Sequence, residues 1–211
     1  MTRLAATFFA SVLCLATLLP SSAQAVPDEN TTRLGFQGGW RYQPNARFLE
    51  WAAINGHTST GSLTGGPAFQ LSFGYRPLSE LEVALEVGYA FEQYGFAGEK
   101  AMQLHQLPLM IAVRYTPFAT SFFYPYIGAG FGYLLNFFQD APGKAVESHG
   151  QAPAGILGGV FEVSKTVSVF VEYRYTYCRV EVQNLGYLQV GGNAFYVGLQ
   201  VNLAAEDNRL K

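Results

Sequence analysis

Lysine is nearly missing from this chain: Lys100, Lys144, Lys165 and Lys211 are all there are in 211 residues. None falls inside a segment that alternates apolar and polar residues, so those segments lack a side chain that normally coats water-facing surfaces. Cysteine is scarce as well, with only Cys14 and Cys178. Cys14 lies in the leader segment described below, which leaves Cys178 without an internal partner. The fold must then stand without a disulfide, and the Cys178 thiol reads as a packed side chain. A net charge of −2 provides no basic footprint for nucleic acid. No Cys/His cluster has metal-ligand spacing, and no cofactor is expected. Beyond residue 25, Glu, Arg, Gly or Pro interrupts every apolar stretch before it reaches the roughly 18 residues of a spanning helix.

What is plentiful is aromatic and small: 17 Phe, 13 Tyr and 23 Gly. Their arrangement is clearest in Leu81–Phe91, LEVALEVGYAF. Its odd positions are all large and apolar, while its even positions are Glu82, Ala84, Glu86, Gly88 and Ala90. A period of two means a β-strand with two different surroundings. A water-facing side would carry Thr, Lys or Ser. Glu mixed with Ala and Gly fits a narrow, polar lumen, with the large side chains turned to lipid.

The pattern recurs over eight predicted strands: 33–42, 68–76, 81–94, 103–115, 124–137, 152–163, 167–178 and 193–203. The sixth is blurred by Gly155, Gly158 and Gly159, and Pro108 predicts a bulge or break in the fourth. Connections alternate long, short, moderate, short, long, short, long. That is the rhythm of an outer-membrane barrel, with short periplasmic turns and longer external loops. Gln43–Gly66 is the longest, and Asn45–Asn55 within it is predicted as a short helix, capped by Asn45 and stopped by Gly56. Phe138–Gly150 and Glu181–Gly192 read as polar loops.

The expected fold is therefore all-β: an eight-stranded antiparallel up-and-down transmembrane β-barrel over residues 33–203. Met1–Ala25 reads as a cleavable signal peptide, with Arg3, the apolar Leu4–Leu19 and an Ala23-Gln24-Ala25 cleavage site. Residues 26–32 are a loose N-terminal segment and 204–211 a polar tail. Export places the chain in the bacterial outer membrane. A soluble ligand-binding barrel would invert the faces. The missing lysines, the Gly and Ala on the smaller face and the aromatic positions argue against it. Trp40, Tyr42, Tyr75, Tyr89, Tyr115, Tyr133, Tyr173 and Tyr177 lie mainly toward strand ends, where an interfacial girdle belongs.

The inner face carries charges of both signs. Arg33, Arg41, Arg76, Arg114 and Arg174 share it with Glu82, Glu86, Glu92 and Glu172, and Glu162 stands near its margin. Buried ions need partners, and eight strands leave a lumen just wide enough for side chains. The expectation is a plug of Arg–Glu pairs with Gln37, Gln70 and Gln200, Arg76 being the nearest partner for Glu82. A gated ion path through the same charges is the alternative.

YPYIGAGFGY at Tyr124–Tyr133 and VSVFVEYRY at Val167–Tyr175 resemble strands of the small eight-stranded outer-membrane barrels, the OmpA transmembrane-domain, OmpX-like and OmpW-like families. YVGLQVNL at Tyr196–Leu203 is similar to their assembly signal, although eight residues follow where an aromatic terminus is usual. The resemblance implies a monomer inserted by the barrel-assembly machinery. It implies no substrate; outer-membrane lipid and lipopolysaccharide are the partners expected of the barrel and its external loops, and no nucleic acid is expected from the net charge. Some such barrels are lipid A deacylases with a His-x-Ser motif. His57-Thr58-Ser59 has that spacing, since i and i+2 share a strand face, but it lies early, in a Ser/Thr/Gly-rich loop. His105 reads as a rim residue, and Ser148 and His149 would point apart. The chain is expected to be non-enzymatic, serving membrane integrity or surface interactions.

Overall fold

The computed structural model describes residues 29–42, 65–94, 102–118, 122–139, 145–164, 166–182 and 186–203. All of its regular elements are strands: β1 (Thr31–Tyr42), β2 (Gly66–Leu78), β3 (Leu81–Tyr94), β4 (Met102–Tyr115), β5 (Phe123–Gln139), β6 (Ala145–Gln151), β7 (Ala154–Glu162), β8 (Val167–Thr176), β9 (Arg179–Val182), β10 (Gly186–Gln189) and β11 (Gly192–Leu203). The signal peptide, the Asn45–Asn55 helix, His57-Thr58-Ser59 and the polar tail lie outside the described residues.

Neighbours in sequence pair antiparallel from β1 to β5, then β5 with β7, β7 with β8 and β8 with β11. The pairing of β1 with β11 closes the sheet. The expected eight-stranded barrel is borne out, with β6 and β7 together making the sixth stave. No edge remains around the membrane-spanning girth, so the ladder satisfies backbone groups that lipid cannot.

Period two holds throughout. Leu34, Phe36, Leu71, Phe73, Leu85, Val87, Ile111, Val113, Ile127, Phe131, Leu157, Val197 and Leu199 all face outward and are exposed. Ala68, Ala84, Ala90, Ala112, Ala154 and Ala194 are buried inside, with Tyr124, Tyr126, Phe170 and Tyr196 filling the remaining width. A water-soluble sheet would not expose Leu85 at 62% and Ile111 at 58%; acyl chains make those positions favourable.

Two local irregularities shape the interior. The β2–β3 register shifts between Tyr75 and Leu78, so Arg76 and Pro77 stand against the single residue Glu82. The bulge aims Arg76 inward beside Glu82. In the β3–β4 ladder the pairs run Val87–Leu109 and then Ala90–Gln106 without a change of register. Pro108 lacks an N–H, and the ladder breaks around it rather than bulging. A Cβ on the facing Gly88 would lie 2.9 Å from the Pro108 ring, so glycine is what lets the ring sit there.

Several predicted boundaries need correction. Strand β1 begins at Thr31, inside the segment expected to be loose. Its start is anchored: Asn30, in the left-handed region at φ 57, donates its N–H to the Arg76 carbonyl at 2.8 Å and accepts from the Tyr75 hydroxyl at 2.9 Å. Pro77 and Leu78 belong to β2 rather than to the turn. Phe138–Gly150 is not a loop: β5 runs on to Gln139 and pairs with β6, leaving only 140–144 between them. The 17 residues of β5 run about 56 Å, well beyond the 9–11 residues a bilayer needs. Glu181–Gly192 is likewise not plain loop, because β9 and β10 form a hairpin in it.

Candidate functional site

The barrel has a turn end, where β1 begins and the β2–β3, β4–β5 and β7–β8 connections lie, and an opposite loop end. Near the turn end, Glu82 on β3 accepts from Arg33 of β1 at 3.1 Å, from Arg76 of β2 at 3.4 Å and from Arg114 of β4 at 3.2 Å. Deeper in the lumen, Arg114 also donates to Glu86 and, at 3.0 Å, to Glu172 of β8. Arg174 completes the lattice from β8, with Glu86 at 2.7 Å and Glu172 at 2.5 Å. Tyr126 adds its hydroxyl to Glu172 at 3.0 Å, and the Arg114 guanidinium lies 5.6 Å from the centre of the Tyr126 ring.

Four arginines and three glutamates thus form one continuous network across the barrel axis. Its core is buried: Glu86 is 2% exposed and Glu172 1%. The alternation of β1, β2, β3, β4 and β8 sets these side chains on the inner face. Register then sets their height, as in the direct Glu82–Arg114 pairing. Pairing offsets a desolvation cost of several kcal/mol per isolated ion.

Arg41 stands apart. It lies at the loop end, 3.8 Å from Glu92 of β3, and donates to the Val190 carbonyl at 2.5 Å. Gln106 of β4 donates to the same carbonyl at 3.0 Å and to Asn136 of β5 at 2.6 Å. Cys178, Val180 and Val190, at and beside the β9–β10 hairpin, are buried, as are Leu104, Leu134 and Ala152. The segment after β8 therefore folds into the loop mouth as a second closure. Glu92 lies six residues above Glu86 along β3, roughly 20 Å of strand.

The glutamines do less than the sequence led us to expect. Gln37 and Gln70 face each other on β1 and β2 and are buried. Yet the Gln37 amide has no hydrogen-bond partner among the described residues, and Gln200 lines a cavity at the turn end. The polar bridge at the loop mouth is made instead by Gln106 and Asn136. Sequence parity could have found Tyr126, two before Gly128 on the same face. Nothing could have flagged Val190, whose contribution is a backbone carbonyl. Glu162 sits at the turn-end margin and accepts from the Tyr124 hydroxyl.

The eight aromatic positions are all exposed on the outer face, and Tyr175 joins them. Tyr75 and Tyr115 mark the turn end; the others lie toward the loop end. Tyr173 donates to Asn193 at 2.5 Å. Tyr89 lies 2.6 Å from His105 Nδ1, which makes His105 a partner in that belt. Among the described residues no group of three His, Cys, Asp or Glu side chains has the arrangement of a metal site.

A family model for the outer membrane protein β-barrel domain matches residues 11–202. The chain belongs to that family. A comparison with curated proteins finds no match. Among solved structures, the barrel is similar to Neisserial surface protein A, at 16% identity and TM-score 0.57, over 82% of this chain and 97% of that one. It is also similar to OprG of Pseudomonas aeruginosa (14%, TM-score 0.58, 85% and 98%). The N-terminal barrel domain of OprF, from the same organism, matches at 14% and TM-score 0.52, over 83% and 98%. At such identities the likeness is one of fold. As a member of this family the chain is a bacterial outer-membrane protein, and its outward apolar band faces lipid.

Proposed function

We propose that this protein is a non-enzymatic surface barrel with a closed lumen, serving membrane integrity or surface contacts through its external loops. The observation that carries the reading is the double closure of the interior. The Arg–Glu lattice spans the axis near mid-height, and the Val190 segment fills the loop mouth above it. Short connections at the turn end support placing that end in the periplasm. The loops then face outward, where lipopolysaccharide and other surface partners are met. Residues 1–25 act as a removable export signal, the barrel-assembly machinery inserts the chain, and it works as a monomer. The plug reading assigns Arg33, Arg76, Glu82, Glu86, Arg114, Glu172 and Arg174 to the lattice and Arg41 to the loop-mouth latch.

Single-channel recording on the refolded protein tests this directly. The expected trace is silent in 1 M KCl. It stays silent after deletion of Arg179–Gln189, because the lattice still blocks the axis below the removed hairpin. Regular conductance steps in the unaltered protein would instead support a narrow gated pore and overturn the closed-lumen reading.

A further inference from the structure

Arg33 and Arg76 are the least satisfied members of the lattice. They are 7% and 3% exposed, and among the described residues their only carboxylate is Glu82, which also serves Arg114. Arg33 Nε and both Nε and Nη1 of Arg76 have no hydrogen-bond partner among the described residues. A guanidinium offers five N–H donors and no acceptor, so these three groups can be satisfied only by something that accepts. The whole lattice holds four cations against three anions. Glu162, the next carboxylate at this end, is engaged by Tyr124.

Beside these donors is a cavity of about 20 Å³, lined by three cations, Arg33, Arg76 and Arg114, against one carboxylate, Glu82, and by the hydroxyl-bearing Ser72 and Thr116 and apolar Phe170. That is slightly more than the 10–15 Å³ needed for one water-sized sphere, room for a single small particle such as a water molecule or a monatomic ion. Apolar walls lower the local dielectric and strengthen the attraction of an anion to the excess guanidinium charge. Water would satisfy the N–H groups but leave the extra charge uncompensated.

We propose that this cavity is a halide site, in which one chloride ion from solution is held by the Arg33 and Arg76 guanidinium groups and completes the charge balance of the lattice. Chloride is then a structural ligand that stabilises the folded barrel by mass action. The site does not depend on the closed-lumen reading: conductance decides that question, and occupancy decides this one.

The test uses the full mature barrel, refolded in detergent. Its urea-unfolding midpoint is measured in sodium chloride and in sodium gluconate at equal ionic strength. The expected result is a midpoint that rises and saturates with chloride and stays flat with gluconate. Arg76→Gln removes two of the three unpaired donors and leaves three cations against three anions, while Glu82 keeps Arg33 and Arg114. This variant should lose the chloride response. Crystals soaked in bromide provide a readout that needs no variant: an anomalous peak is expected in the cavity, within hydrogen-bond reach of Arg76. Identical midpoints in the two salts, or a cavity without bromide while surface sites fill, would overturn the proposal.

Discussion

Replacing Glu82 by glutamine is the most damaging single change expected in the lattice, and the reason is connectivity rather than the number of bonds. Among the described residues Glu82 is the sole carboxylate of two buried arginines, Arg33 and Arg76, and a partner of Arg114. Glutamine keeps the shape but leaves Arg33 and Arg76 with no carboxylate among the described residues, and the lattice becomes four cations against two carboxylates. Breaking a buried pair by removing one partner costs about 3–5 kcal/mol. Arg114 makes more contacts, yet its loss is milder. In Arg114→Met, Glu82 keeps Arg33 and Arg76, while Glu86 and Glu172 both keep Arg174. Three cations then face three anions and no ion is orphaned. The cost is that of lost charge-assisted hydrogen bonds, about 1.5–3 kcal/mol. Urea titration of refolded protein in lipid vesicles, followed by the fluorescence of lipid-facing Trp40, measures both. The predicted order is Glu82→Gln above Arg114→Met. The reverse order, or a Glu82→Gln loss below about 1 kcal/mol as for a surface pair, would refute the argument.

Three further outcomes are expected. Gly132→Ala brings a Cβ to 2.0 Å from the Leu109 carbonyl oxygen, whereas Gly155→Ala meets nothing within 4 Å; urea midpoints should show a loss of about 1–3 kcal/mol for the first and almost none for the second. Leu85→Arg puts a charge on the lipid face between Phe73 and Ile111 and should cost about 2–4 kcal/mol in vesicle refolding if that point is near the bilayer midplane. Burial pushes the Cys178 thiol, beyond the end of β8, up from 9.0 to about 11, against a smaller lowering by Arg41. At pH 8 only about one thiol in a thousand is then ionised, so maleimide should label it after unfolding and hardly before. Because the protonated thiol is the form the fold favours, its contribution is intact below pH 9 and is lost as pH rises through 11, which a urea series across that range reads out.

How far the sequence could be read follows the membrane. Where lipid touches the chain it imposes a strict code, and the strands through Leu85, Ile111, Ile127, Val171 and Val197 were legible from alternation alone. Their inward partners followed from parity, which placed Glu82, Glu86, Arg114, Glu172 and Arg174 on one surface. The code lapses beyond the bilayer. Across β6, AVESHGQ, polar residues stand at successive positions and apolar alternation is lost, so a strand there looks like a loop. The Arg179–Gln189 hairpin was hidden for the same reason. Pairing within the lumen was only partly legible, since it depends on heights and on side chains reaching across the axis. Glu82 takes three arginines where Arg76 alone was singled out, and the Gln37 amide finds no partner among the described residues.

The distribution of lattice charges along the chain bears on how the barrel enters the membrane. Arg33, Arg76, Glu82, Glu86 and Arg114 come from the first four strands and already include pairs among themselves. Glu172 and Arg174 arrive on β8, nearly sixty residues after Arg114, as a self-neutralising couple. An open sheet would carry all seven charges along an unenclosed surface, with the cross-axis pairs Glu86–Arg174 and Arg114–Glu172 unmade. Exposing that surface to hydrocarbon would be costly, and closing the cylinder removes the exposure. A strand paired one residue out of step would turn its charges into lipid. The lattice therefore ties ion pairing to register: only the correctly registered cylinder hides its ions.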